Sequence, residues 1–336
     1  MMTQAVLMGR TPANFEYVYG AERLEWLKEN TILYPEIITM ENLAEKLPEL
    51  SETEVIFSSW GMLPLTEEQI AAMPKLKALF YAAGSVQAFA APFLNRNITV
   101  VSAVEANAVP VAEFCLGQIL LALKGYFANT RKAKQGPWNL WPAAMAGKGI
   151  YGETVALLDI GAVSRHLLRL LKNFNIRVIA VCDYLQSRPE EVKELGIDRL
   201  VSIEEAFREA YAISSHFPDK PHNRGILRKE HFAVMRPGAT FINTGRGAQV
   251  DEKGLVEVFR SRPDLTALLD VTCPEPPEAG SPLYSLDNIY LSTHIAGSIN
   301  DEVRRMADYV LDEFRRWRKG EALHYAVDAK LLKERA

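Results

Sequence analysis

The chain has 336 residues, 48% hydrophobic and 24% charged, with 38 Lys and Arg against 42 Asp and Glu for a formal charge of −4. That length suits about two domains, each with its own core, and the composition excludes a disordered or fibrous chain. A mildly acidic chain with no basic block also argues against a nucleic-acid partner.

In chain order, Ala5–Met8 is the first strand candidate, and the apolar run around it is too short for a signal peptide. Val55–Ser58, Ala78–Tyr81 and Ile98–Val101 follow as strands, with Thr66–Met73 among the helices between them. A long helix is expected from about Pro110 to Lys132, with Pro110 in its first turn, where the missing N–H costs least. Its most apolar part, Phe114 to Ala122, is half of the roughly 20 residues a membrane span needs, so no membrane partner is expected. Gln135–Pro142 is a turn-rich connection whose Trp138 and Trp141 read as packing residues.

Beyond Gly152 the alternation becomes regular. Strands are expected at Val155–Ile160, Arg177–Cys182, Ala212–Ser215, Thr240–Asn243, Thr266–Val271 and Ile289–Ser292. They are apolar on both faces, as in a sheet covered by helices on both sides. Val163, Leu167, Leu170, Leu171 and Phe174 mark one face of the first intervening helix. Val303, Met306, Ala307, Val310 and Phe314 mark one face of a last helix, from about Asp301 to Lys319. Repeated strand–helix units with short connections imply an α/β fold with a mostly parallel, doubly wound sheet, and six strands match the dinucleotide-binding arrangement in number. Cys115, Cys182 and Cys273 form no C-x-x-C pair, and no metal site is expected. Each cysteine lies in or beside an apolar run and reads as a small buried hydrophobe in a reducing, cytoplasmic setting.

In open α/β sheets, ligands bind beyond the carboxyl ends of the strands. The residues just past the six strands are Gly161, Asp183, His216, Arg246, Glu275 and His294. The first turn, Asp159-Ile160-Gly161-Ala162-Val163-Ser164, keeps only the middle glycine of a G-x-G-x-x-G pattern, the one that lets the backbone approach a pyrophosphate. Ser164 replaces the glycine of helix–strand packing. Asp159 replaces the turn glycine, and a carboxylate about 4 Å from a phosphate charge would cost roughly 1–4 kcal/mol. Asp183 lies 22 residues after Gly161, where a ribose-binding acid is expected roughly 20 residues on. A carboxylate there accepts from a ribose 2′-OH and repels a 2′-phosphate, which favours NAD over NADP; Arg188 keeps NADP open.

Three segments carry a family resemblance: Gly238–Glu252 (GATFINTGRGAQVDE), Leu269–Pro276 (LDVTCPEP) and Ser292–Gly297 (STHIAG). Arg246 and Glu275 are 29 residues apart, and Glu275 and His294 are 19 apart. With Ser215–Pro218 and Asn107–Glu113, they resemble the NAD-dependent D-isomer-specific 2-hydroxyacid dehydrogenases, from about residue 98 to 300. The resemblance implies two doubly wound parallel-sheet domains with a cleft between them. A Rossmann-type cofactor domain, residues 106–298, would be inserted into a flavodoxin-like substrate domain, residues 1–105 plus 299–336, with hinges near Glu105–Asn107 and Gly297–Ser298. It implies Arg246, Glu275 and His294 as catalytic residues. Cofactor contacts are implied at Gly161, Ala162, Val163, Asp183, His216, Phe217, Pro218, Thr244, Gly245, Arg246, Asp270, His294 and Gly297. Substrate contacts are implied at Ala83, Gly84, Arg246 and His294. NAD is the implied cofactor, a small 2-oxo or 2-hydroxy acid the substrate, and a homodimer the assembly.

Elementary chemistry is consistent with these roles. A guanidinium fork binds the carboxylate of a 2-oxo acid bidentately. A histidine backed by a glutamate gives a proton to the keto oxygen or takes it back. The alternative is an NAD-sensing binding module, or an inactive homologue whose Asp159 and Ser164 impair dinucleotide binding.

Overall fold

The computed structural model describes residues 2–137 and 145–328; Trp138 and Trp141 lie outside the described residues. The chain forms two compact units, Met1–Ala108 with Ser298–Ala336, and Val109–Gly297.

The first unit is built on five parallel strands: β1 (Thr3–Leu7), β2 (Thr31–Leu33), β3 (Val55–Ser58), β4 (Ala78–Tyr81) and β5 (Thr99–Ser102). Their order, β2-β1-β3-β4-β5, is the flavodoxin-like doubly wound order. The sequence pattern misses β2, which has three residues and turns Ile32 toward solvent. The last helix, Val303–Lys319, buries the expected stripe of Val303, Met306, Ala307, Val310 and Phe314. Phe314 meets Phe57 and Phe80 edge-on, at centroid distances of 5.0 and 5.5 Å. Each of these rings is fully buried and contributes roughly 1.5–3 kcal/mol of hydrophobic stabilisation. The carboxy-terminal helix is thereby fixed to the amino-terminal sheet.

The second unit has seven parallel strands: β6 (Glu153–Leu158), β7 (Ile176–Val181), β8 (Arg199–Leu200), β9 (Ala212–Ser215), β10 (Thr240–Asn243), β11 (Thr266–Leu269) and β12 (Ile289–Leu291). The order is β12-β11-β10-β9-β6-β7-β8. This is the dinucleotide-binding arrangement with one further strand, and its direction of winding reverses between β6 and β9. Two-residue β8, at the sheet's edge, is too short to show a hydrophobic period.

Three local expectations are corrected. The helix expected from Pro110 to Lys132 is two helices, Val104–Leu123 and Tyr126–Lys134. They are parted at Gly125, whose φ of +68° favours glycine and where a Cβ would stand 2.3 Å from the carbonyl oxygen of Ala146. Pro110 sits inside the first of these helices rather than in its first turn. At 20 residues that helix is long and apolar enough to cross a membrane by length and composition alone, and half of its apolar window is buried within the fold. Cys273 is exposed whereas Cys115 and Cys182 are buried, because β11 ends at Leu269 and Cys273 follows in a proline-rich loop.

Candidate active site

The turn after β6 is closed by its own polar groups. Asp159 adopts φ +72°, the left-handed region that Asp tolerates better than most side chains. Its amide donates to Val181 O at 2.8 Å. Ser164, fully buried, donates its hydroxyl to Asp159 O at 2.7 Å. The two residues that depart from the glycine pattern are therefore hydrogen-bonded to each other. The Asp159 carboxyl accepts from the Ile160 amide and the Cys182 thiol, and burial pushes its pKa up. It is turned toward the end of β7.

Gly161 caps the helix Ala162–Leu171 in extended conformation, and the space where its Cβ would stand is open to 4 Å. The amides at that helix start have no partner within the helix and carry the positive end of its dipole. Ser215, in register with Leu158 across the switch point, keeps a buried hydroxyl with no partner among the described residues. An open glycine, helix-start amides and an orphaned hydroxyl at two neighbouring strand ends fit the diphosphate of a dinucleotide.

Asp183 is exposed at the start of the turn that follows β7. Arg188, five residues on, is engaged elsewhere: its guanidinium lies 3.6 Å over the Tyr184 ring, donates to Tyr184 O at 3.0 Å and stands 3.8 Å from Glu191. Beyond β9, His216 Nε2 lies 2.9 Å from the Ser214 hydroxyl, and burial lowers the pKa of this ring to about 4. The ring is neutral near pH 7. Gln249 donates to Phe217 O and Pro218 O, holding the loop that follows.

Past β10, Thr244 lies 3.3 Å from the Cys115 sulfur, a thiol raised to about 11 by burial and so inert as a nucleophile. Asn243 Oδ1 accepts from the Gly245 amide and its Nδ2 donates to Arg246 O, both at 3.1 Å. Arg246 is exposed and uses one N–H on Gly245 O at 2.7 Å. It pairs with no carboxylate among the described residues, so four of its five donors are free. A Cβ on Gly247 would stand 2.0 Å from the Thr272 carbonyl carbon; only glycine lets the arginine loop lie against the loop after β11.

That loop and the next are joined by Asp270, which is buried. Its Oδ1 accepts from the Ser292 hydroxyl at 2.6 Å and the Ile295 amide at 2.9 Å, and its Oδ2 from the Ala296 amide at 3.0 Å. Three of about four acceptor sites are thus used. The His294 amide donates to Asp270 O at 3.1 Å, and His294 itself adopts φ +60°, rare for a non-glycine residue. Its Nδ1 lies 2.6 Å from Glu275 Oε1. An ionised carboxylate only accepts, so Nδ1 carries the proton and Nε2 faces away. Both side chains remain about half exposed, at 49% and 40%.

Arg246, Glu275 and His294 thus follow three adjacent strands, β10, β11 and β12. Gly297 is the last residue of the same unit. Ala83 and Gly84 belong to the other unit, in the loop after β4; their carbonyl oxygens both accept from the Ser102 hydroxyl. Sequence reasoning missed Asn243, Gln249 and Ser292 as supports; Gln249 and Ser292 act on residues 32 and 22 positions away. Asn243, at a strand end beside the arginine segment, was the one with a readable signal. Among the described residues no group of three or more His, Cys, Asp or Glu is placed to hold a metal.

Comparison with known proteins bears on this edge directly. The profile of the D-isomer specific 2-hydroxyacid dehydrogenase NAD binding domain matches residues 116–296, which include every residue just described except those of the first unit, Cys115 and Gly297. A D-3-phosphoglycerate dehydrogenase of Methanocaldococcus jannaschii is 28% identical over 87% of this chain and 54% of its own length. A glyoxylate reductase of Korarchaeum cryptofilum is 27% identical over 81% of this chain and 82% of its own. The chain thus spans about half the length of the first relative and most of the second. A phosphoglycerate oxidoreductase structure from Rhizobium etli superimposes with a TM-score of 0.81 at 22% identity, covering 98% of this chain and 99% of that one; at that identity the likeness concerns the fold.

Proposed function

Since this chain belongs to the D-isomer-specific 2-hydroxyacid dehydrogenases, NAD(P)-binding oxidoreductases, we propose that it reversibly reduces a small 2-oxo acid to the D-2-hydroxy acid. The observation that carries this reading is the His294–Glu275 contact at 2.6 Å, past strands β12 and β11, which pair in turn with the β10 strand that leads to Arg246, a residue with no acidic partner among the described residues. The amides of Gly161, Ala162 and Val163 would hold the diphosphate of the dinucleotide, which would supply the hydride. The protein's own groups do the rest.

Arg246 binds the substrate carboxylate with two parallel N–H donors and sets the orientation of the neighbouring carbonyl. His294 places Nε2 toward the carbonyl oxygen, gives it a proton as negative charge develops there, and recovers the proton in the reverse direction. Glu275 fixes the Nδ1–H tautomer and the orientation of the ring. Asp270 holds the histidine loop and keeps one acceptor site for the nicotinamide carboxamide.

Asp183 makes NAD the preferred cofactor over NADP, and the engagement of Arg188 with Tyr184 and Glu191 leaves a 2′-phosphate without that partner. The helix Val104–Leu123 is the surface through which we propose a homodimer. Leu121 on it is 42% exposed, Gly117 has no neighbour within 4 Å of a Cβ position, and Gln118 Oε1 is buried without a partner. Light scattering of the purified chain tests this assembly.

The reaction itself is tested by following NADH and NADPH absorbance with glyoxylate, pyruvate and hydroxypyruvate, and by chiral analysis of any product. Turnover of at least one acid to the D-isomer is expected. NADH binding without oxidation by any acid overturns the enzyme reading in favour of a dinucleotide-sensing module.

A further inference from the structure

We propose that Asp159 is a second cofactor-specificity residue: with Asp183 it frames the adenosine ribose by two carboxyl groups and so turns the 2′-phosphorylated dinucleotide away. The inference rests on the assignment of this turn to the dinucleotide.

The placement follows from register. Strands β6 and β7 pair in parallel with Leu158 opposite Val181, and the Asp159 amide donates to Val181 O at 2.8 Å. Asp159 therefore stands beside Cys182, one residue short of Asp183, across a strand spacing of roughly 5 Å. Its φ of +72° and its acceptance of the Cys182 thiol direct the carboxyl along the edge toward β7. It is not drawn over the amides of Gly161, Ala162 and Val163, where the diphosphate would lie. The carboxyl is thus displaced from the diphosphate that both dinucleotides share toward the position where NAD and NADP differ. There a hydroxyl can donate to a carboxylate, whereas a phosphate carries about two negative charges near pH 7.

The groups facing the Asp159 carboxyl are Cys182 and Asp183 from the end of β7, the Ile160 amide from its own turn, and Lys220 from the loop after β9. Asp183 opposes its ionisation and Lys220 favours it, but burial dominates and holds its pKa above the ordinary aspartate value. Discrimination against NADPH should therefore grow as pH rises and the carboxyl ionises, and shrink as pH falls.

The test is fluorescence titration of the full chain with NADH and with NADPH, comparing wild type with Asp159→Asn. Asparagine accepts the left-handed backbone, removes the charge and keeps one of the two acceptor oxygens. We expect the variant to bind NADPH about tenfold more tightly, the scale of one charge acting at partly screened short range, with NADH changed less than threefold. Repeated at pH 5 and pH 8, the preference for NADH over NADPH should rise with pH more steeply in wild type than in the variant. The phosphate's own ionisation near pH 6 occurs with both proteins, so only the difference in slope between them reports on Asp159. An equal change for NADH and NADPH would place Asp159 at the diphosphate and overturn the proposal. No change for either would make it a turn residue only and overturn the proposal equally. Wild type that binds neither dinucleotide would instead overturn the cofactor assignment of the turn itself.

Discussion

At the β6–β7 end of the second unit's sheet the polar groups are engaged with one another; at the β10–β12 end they are left open. Ser164 closes onto Asp159, the Asp159 carboxyl onto Cys182 and Ile160, and Arg188 onto Tyr184. On the other side the supports are engaged but the chemical groups are not. Asn243 and Asp270 use their side chains to fix two loops, and those loops present a guanidinium with four donors, and an imidazole with an Nε2, that have no partner among the described residues. A binding surface tolerates departures from a motif when the new side chains satisfy each other. A reacting site requires side chains that are held yet unsatisfied.

The largest effect should come from the open side. His294→Gln keeps polarity but cannot shuttle a proton, so kcat should fall by about 10²–10⁴. NADH affinity, read by fluorescence, should stay within about threefold. A parallel loss of NADH affinity would break the distinction between the two ends, because the histidine would then belong to binding.

Arg246→Ala should come next. It removes a charge-assisted, bidentate contact, and kcat/KM for the best 2-oxo acid should fall by about 10². Most of the loss should appear in KM. Arg246→Lys should recover little, since an ammonium cannot reproduce the fork. Full recovery by lysine would mean that the site needs only a positive charge.

The two ends also differ in how legible they are from sequence. The strand ends carrying Arg246, Glu275 and His294 can be read because each stands in a contiguous apolar-then-polar segment at a characteristic interval. The parallel sheet can be read for the same reason. Strands β2 and β8 cannot, being three and two residues long with no period to detect. The break at Gly125 depends on Ala146, 21 residues away in sequence. Local pattern sets the Asp159 carboxylate against a phosphate, whereas its actual orientation depends on φ and on a thiol from the neighbouring strand. The roles of Asp270 and Gln249 depend likewise on loop amides and carbonyls that no local pattern marks.

His216 sits at the switch point between the two ends and tests whether that junction is dry. Burial lowers its pKa from 6.5 to about 4. As pH falls below about 6.5 the unfolded chain takes up a proton that the folded ring refuses until about pH 4. Its contribution is therefore complete above pH 6.5 and is lost progressively between 6.5 and 4. The loss should be about 2 kcal/mol after allowance for the residue's partial exposure. Urea unfolding at pH 7, 5.5 and 4.5 should show a shallower pH slope for His216→Asn than for wild type. Equal slopes would mean that solvent reaches the ring.

The smallest expected effect asks whether the closed turn truly compensates for its missing glycines. Ser164→Ala removes one hydroxyl and leaves Asp159 O without its 2.7 Å donor. The loss should be about 1 kcal/mol in urea unfolding. If the turn must be held for binding, NADH affinity should fall by up to about fivefold, the same free energy expressed as a ratio. Ser164→Gly restores the residue of the glycine pattern but adds backbone freedom within a helix, worth roughly another 1 kcal/mol against alanine. It should therefore weaken the protein further rather than improve it. Pairing it with Asp159→Gly should recover part of that loss, because a glycine at 159 reaches φ +72° without a side chain to anchor. If Ser164→Gly alone binds NADH more tightly than wild type, serine is a defect in the turn rather than half of a pair, and the two ends of the sheet differ only in how much of the family pattern each has kept.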